Sequence, residues 1–188
     1  MIQLNLTTLP TSFEIDNTEY PIRSDWNDIV KILTALQDVE VNEYAGTEIM
    51  LTILYPDYKS MPREHIEKAA EFAVAFIDMG IHSGEGSGKS NGARMMWEKD
   101  LPLIISAVNN VLGYDVRSRE THWWTFLSAY YEIRESLFSE VISIRGKMAK
   151  HQKLEKAEKD FYNANRSIID IETKYTSEEE EIFNSWIN

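Results

Sequence analysis

Residues 121–146, THWWTFLSAYYEIRESLFSEVISIRG, read as helix, yet aromatic and aliphatic side chains run around most of the circumference. Such a helix has no face to give to water, so it is either central in a core or lies at an interface. That choice constrains everything arranged about it. The chain has the means to bury it: 43% of its 188 residues are hydrophobic and 11% aromatic, enough for one domain with a real core and an appended tail.

The flanking segments supply packing partners. SFEIDNTEYPI, residues 12–22, places short β-prone runs on either side of Asp16-Asn17, a pair suited to a hairpin turn. From Ser24 the period changes to helix: Trp26, Ile29, Val30, Leu33 and Leu36 recur at three- and four-residue steps behind a Ser/Asp start. EIMLTILY, residues 48–55, is ambiguous; its β-branched content points to strand, its length and neighbours to helix, which is favoured. Over 62–79, Pro62 suits a first helical turn, and Ile66, Ala69, Ala70, Ala73, Phe76 and Ile77 make one apolar stripe. Gly80 then stands where a left-handed cap belongs. A further helix opens near Asp100-Leu101-Pro102, buries Leu101, Ile104, Ile105, Val108, Val111 and Leu112, and stops at Gly113.

Within 147–171, Leu154, Ala157, Phe161, Ala164, Ile168 and Ile171 are spaced as a short heptad seam, suited equally to this chain's own core and to a helix of another subunit. The expected fold is mainly α: a single helical domain over 1–172, with a small N-terminal β-hairpin inside 1–23 and a flexible Gly-rich connector over 81–95. Residues 173–188 form an acidic tail with a short amphipathic helix.

Charge narrows the partners. The net charge is −12, and residues 1–60 alone carry ten acids against three bases. Such a surface repels nucleic acid and anionic lipid, so neither is expected as a partner. The basic stretch RGKMAKHQKLEKAEKD, residues 145–160, is interrupted by acids and reads as a solvated helix face. No stretch approaches the about 20 apolar residues of a membrane span. The start, MIQLNLTTLP, lacks the basic-then-apolar layout of a secretory signal. With no cysteine, disulfides and thiolate metal sites are excluded, as suits a reducing cytoplasm.

Motifs for chemistry are missing. HSGEGSGKSNG, residues 82–92, imitates a phosphate-binding loop, but the required first glycine falls on Ser83 and the upstream segment has helical rather than strand periodicity. His65, His82, His122 and His151 occupy no zinc-hydrolase spacing, no G-x-S-x-G elbow presents a serine, and SDWND lacks the alternating ligands of a calcium loop. His122, beside Trp123-Trp124, is expected as a packed, hydrogen-bonded core histidine. The expectation is a protein without catalytic residues, cofactor or metal.

A pattern stands out across 114–146: Tyr114, then His122-Trp123-Trp124-x-Phe126, then Ile142-x-Ile144-Arg145. With it the chain resembles the phage "gene product fifteen" family, small proteins encoded just upstream of the tape-measure protein in long-tailed phages of Gram-positive bacteria. The opening LPTSFEIDNTEYPIRSDWNDIVKIL is similar to the family's Leu-Pro, hairpin and helix start, and the likeness spans most of residues 9–170. Thr121 departs from the family's usual leucine, and the Gly-rich spacer over 81–99 is unlike the usual connector.

The resemblance implies a mainly helical, self-associating tail assembly chaperone without catalytic residues, acting in the host bacterial cytoplasm. It would coat the phage tape-measure protein before the tube polymerises and then leave; the tail tube protein is a second candidate partner. The alternative is a permanent minor structural protein of the tail. In the tail segment TSEEEEIFNSWIN, Ser177 and Glu180 form a capping box, while Ile182 with Trp186 and Phe183 with Ile187 make two i,i+4 pairs. These four residues, with Phe161 and Ile168 of the seam, are the candidate protein-binding positions.

Overall fold

The computed structural model describes residues 5–81 and 95–171. Within them the chain is mainly α-helical, with one two-stranded antiparallel hairpin at the front. Strands β1 (Ser12–Ile15) and β2 (Thr18–Pro21) pair Phe13 with Tyr20 and Ile15 with Thr18. Asp16 and Asn17 between them both have positive φ, at 49° and 61°, the backbone that a two-residue turn between twisted strands demands. Phe13, Ile15 and Tyr20 are buried while Glu14 and Glu19 face water, so the hairpin lies on the helices by one side.

Helix α1 (Trp26–Leu36) starts on Asp25, whose carboxylate accepts the Asn27 N–H. It buries Trp26, Ile29, Val30 and Ile32, whereas Leu36, expected on the apolar stripe, is 42% exposed at the C-terminal end. Helix α2 (Glu43–Leu54), capped by Asn42, takes in residues 48–54 of the ambiguous stretch and resolves them as helix, with Tyr55 its extended C-terminal cap. Gly46 lets α1 approach closely, since a Cβ there would meet Leu36 Cδ2 at 2.8 Å. Helix α3 (Arg63–Ile77) follows Pro62 and turns Ala69, Ala73 and Phe76 into the core. Its exit is left-handed at two residues, Met79 (φ 55°) and Gly80 (φ 70°), and the Gly80 N–H reaches back to the Ala75 carbonyl at 2.8 Å.

Helix α4 (Trp97–Leu112) begins a turn earlier than Asp100-Leu101-Pro102, with Pro102 carried inside it, and closes on Gly113 at φ 75°. Val111 is 43% exposed rather than buried. The aromatic run is not one helix. It divides into α5 (Trp123–Tyr131) and α6 (Leu137–Ala149), because Ser136 and Ser139 cap one another reciprocally and restart the chain in a new direction.

The heptad seam is also corrected. After a left-handed turn at His151 (φ 54°), the segment breaks into α7 (Lys156–Ala164) and α8 (Arg166–Ile169), so no continuous stripe forms over 154–171. Leu154, Phe161 and Ile168 instead pack, with Leu103 of α4, on a small cluster of Val141 and Ile144 from α6 and Ile169 from α8. One large core joins the hairpin and α1–α5 up to Phe138; a second, small one consists of buried Val141, Ile144 and Ile169 with their half-buried neighbours.

Candidate functional site

The N-termini of α1 and α5 meet head to head. Trp26 N–H donates to the Thr121 carbonyl at 2.9 Å, and Trp123 N–H to the Ser24 carbonyl at 2.6 Å. Asp25 serves both helices: one carboxylate oxygen caps α1 through Asn27 N–H, the other accepts the Thr121 N–H, each at 3.0 Å. A carboxylate at this place also faces the positive ends of two helix dipoles.

His122 caps α5 with its ring. Nδ1 accepts the Trp124 N–H at 3.1 Å, so the proton sits on Nε2, which donates to the Pro10 carbonyl at 2.9 Å. Both nitrogens are used by the neutral ring, and burial holds its pKa below the ordinary value. The imidazole therefore ties the N-terminal segment to α5.

Each tryptophan of the pair ends another helix. Trp123 Nε1 donates to the Ile77 carbonyl and Trp124 Nε1 to the Phe76 carbonyl, both at 2.8 Å. These are the last two residues of α3, beyond the reach of its regular i+4 ladder, although the Phe76 carbonyl also accepts the Met79 N–H at 3.3 Å. Adjacent indoles suit adjacent carbonyls, which explains why two tryptophans stand side by side. Phe126 stacks on Trp26 with centroids 5.0 Å apart and planes within 4°, closing the contact between α5 and α1. His122, Trp123, Trp124 and Phe126 are thus brought together as one aromatic hub, and the expectation of a hydrogen-bonded core histidine fits its geometry.

A second constellation was not legible as a pair. Arg145 on α6 holds Asp100 of α4 in a bidentate ion pair, at 2.6 and 2.9 Å, with both side chains buried. The guanidinium also donates to the carbonyls of Ile168 (2.6 Å) and Ile169 (2.7 Å), the end of α8. Asp100 in turn accepts the Met96 N–H at 2.9 Å, at the start of α4. The available signal was an arginine inside the otherwise apolar VISIRG and an aspartate inside a core-facing helix. Spacing alone does not join positions 45 residues apart.

Running from the core out to the hairpin turn, Tyr20, His65 and Asp16 form a chain that imitates a catalytic relay, with Tyr20 Oη 2.7 Å from His65 Nδ1 and His65 Nε2 3.7 Å from Asp16. Lys68 takes the Asp16 carboxylate with two hydrogen bonds and holds its pKa below the usual range, so the chain ties the hairpin turn to α3. Among the described residues, no group of three or more His, Asp or Glu is placed to hold a metal ion. No helix there is long and apolar enough to cross a membrane.

Of the candidate protein-binding positions, Phe161 and Ile168 are half-buried against the small core. Ile182, Phe183, Trp186 and Ile187 lie outside the described residues, as do the imitation phosphate loop and most of the Gly-rich connector.

No curated protein matches the chain, and no solved structure matches it. A family model described as Bacteriophage Gp15 protein matches residues 6–171, from the segment before the hairpin to the end of the small core, and so takes in the hub and the Asp100–Arg145 pair together. The chain belongs to the bacteriophage Gp15 protein family.

Proposed function

We propose that this phage protein works without catalysis, as a tail assembly chaperone that self-associates and coats the tape-measure protein before the tube polymerises around it. The observation that carries the reading is the family match over nearly the whole described chain. The side chains that looked most chemical agree with it. His122, both tryptophans, Asp100 and Arg145 each have their polar atoms engaged in holding helices together. What such a body offers to the outside is helix surface.

A tape-measure protein exposes a great length of amphipathic helix, which aggregates if left bare. Many copies of a small acidic helical protein cover such a rod, each binding weakly, with self-association supplying avidity. A net charge of −12 keeps the assembly soluble until the tube replaces it. The place of action is the host cytoplasm, with the tube protein as a second partner.

Co-expression with the adjacent tape-measure protein tests this. Soluble co-purification with several copies per partner is the expected result; a tape measure left insoluble defeats the reading. Detection of the chain in purified virions would favour a permanent tail component instead.

A further inference from the structure

Among the described residues, helix α2 packs by one side. Gly46, Met50, Leu51 and Leu54 face the core, toward α1 and α3. The opposite side carries Tyr44, Ala45, Glu48, Ile49 and Thr52, with Tyr44 81% exposed, and Ile53 flanks it, half-buried against the large core. Ala45, Glu48, Ile49, Thr52 and Ile53 line a shallow hollow of about 320 Å³. On a soluble helix this side is ordinarily polar; here Glu48 is its one charge.

Acids outnumber bases around the strip. Between Lys31 and Lys59 the sequence has no Lys or Arg, and its exposed acids include Glu43, Glu48 and Asp57. Arg23, at the far end of α2, is turned onto the carbonyls of Thr52 and Ile53. A second copy seated here about a two-fold axis through the middle of α2 would bring Glu48 close to its own copy, which disfavours self-docking.

We propose that this side of α2 is the docking surface for a helical segment of another polypeptide, one with an apolar stripe edged by Lys or Arg. The proposal rests on the chaperone reading and names the chemistry of the partner's contact. Tyr44, Glu48 and Thr52, with Ala45, Ile49 and Ile53 beside them, supply the i, i+4, i+8 steps along which a partner helix lies. With 12 residues, α2 spans about 18 Å, so one copy makes a small, weak contact. Many copies along one rod then give avidity, and each is removed easily.

The test titrates the full-length protein, by fluorescence anisotropy, with two labelled helical peptides that share one leucine stripe. One carries flanking lysines, the other flanking glutamates. The lysine peptide should bind, more weakly as salt is raised, and the glutamate peptide about tenfold worse or not at all. Ile49→Ser and Tyr44→Ser remove apolar contact without changing charge, and each should lower affinity for the lysine peptide by about tenfold. Glu48→Lys should shift preference toward the glutamate peptide. Tyr44 is too exposed for its substitution to unfold the chain, which separates lost binding from lost folding.

Failure of both peptides to bind overturns the proposal. So do serine variants that bind as wild type does, or variants that lose self-association instead. Co-expression separates this inference from the broader reading. If wild type and both serine variants solubilise the tape measure equally, the chaperone reading stands and the α2 surface does not. If wild type itself fails to solubilise the tape measure, that broader reading fails, while the peptide titration still decides the chemistry of the surface.

Discussion

Two places in this molecule end an incoming helix by the same device, with opposite chemistry. In the hub, the indoles of Trp123 and Trp124 donate to the last two carbonyls of α3. In the C-terminal arm, the guanidinium of Arg145 donates to the last two carbonyls of α8 and needs buried Asp100 to balance its charge. The hub lies within a core that runs through the hairpin and α1–α5; the arm has three buried apolar side chains, Val141, Ile144 and Ile169. Where apolar area is plentiful, a neutral donor on a large ring both packs and caps. Where it is scarce, position is set by a charge pair whose desolvation offsets most of its attraction, so the pair orients the arm more than it stabilises it. Helices as short as α7 and α8 do not persist alone, and the arm depends on that pin.

Replacing Trp123 by Ala should have the largest effect. It empties a fully buried site and uncaps α3, at the upper end of about 3–5 kcal/mol, and unfolding should remain one cooperative transition in a thermal melt. A two-step melt would break the claim that the hub is shared by all elements around it.

Arg145→Met comes next, at about 3 kcal/mol, because it strands a buried carboxylate. Its signature is local: hydrogen exchange should speed up over 156–171 while amides of α1 and α5 keep their protection. The double variant Asp100→Leu/Arg145→Met should recover much of the loss in a double-mutant cycle. Failure to recover would mean that the guanidinium's bonds to Ile168 and Ile169, not the charge balance, hold the arm.

A smaller effect is expected from pH. His122 is held neutral in the fold, below its ordinary 6.5, so the unfolded chain takes up its proton first. The hub's stability from this group is complete above 6.5 and drains away as pH falls through 6.5 toward the lower folded value. Protonation also turns Nδ1 into a donor facing the Trp124 N–H, which removes the α5 cap. His122→Asn keeps a capping acceptor and should lose stability less steeply between pH 7 and 5, measured by urea titration against wild type. An unchanged slope would remove His122 from the hub's electrostatics.

The smallest effect belongs to the edge of the large core. Gly46→Ala gains about 1 kcal/mol of helix propensity and displaces only the end of half-exposed Leu36, so the melting temperature should barely move. A large fall would extend the tightly packed region out to the α1–α2 contact.

Helix and turn type were legible where the signal is local. Asp16-Asn17 specified the hairpin turn, Asp25 and Gly113 marked a start and a stop, and the three- and four-residue periods over 26–36, 62–79 and 101–112 located helices that do form. Pattern summed over a whole segment misled where the chain changes direction inside it. Residues 121–146 read as one helix although Glu132, Arg134 and Glu135 interrupt the apolar run just before the Ser136 cap, and the 3-4-3-4-3 spacing over 154–171 persists although the helix stops at Asn165 and again at Asp170.

The residues themselves thus determined a mainly helical protein with a hairpin in front, because backbone dihedrals, capping and amphipathic period act within a few positions of one another. Only the tertiary structure decided what the distinctive side chains are for. Trp124 meets a carbonyl 48 residues away and Arg145 a carboxylate 45 residues away, and which buried donor satisfies which acceptor is settled only when the helices are already side by side.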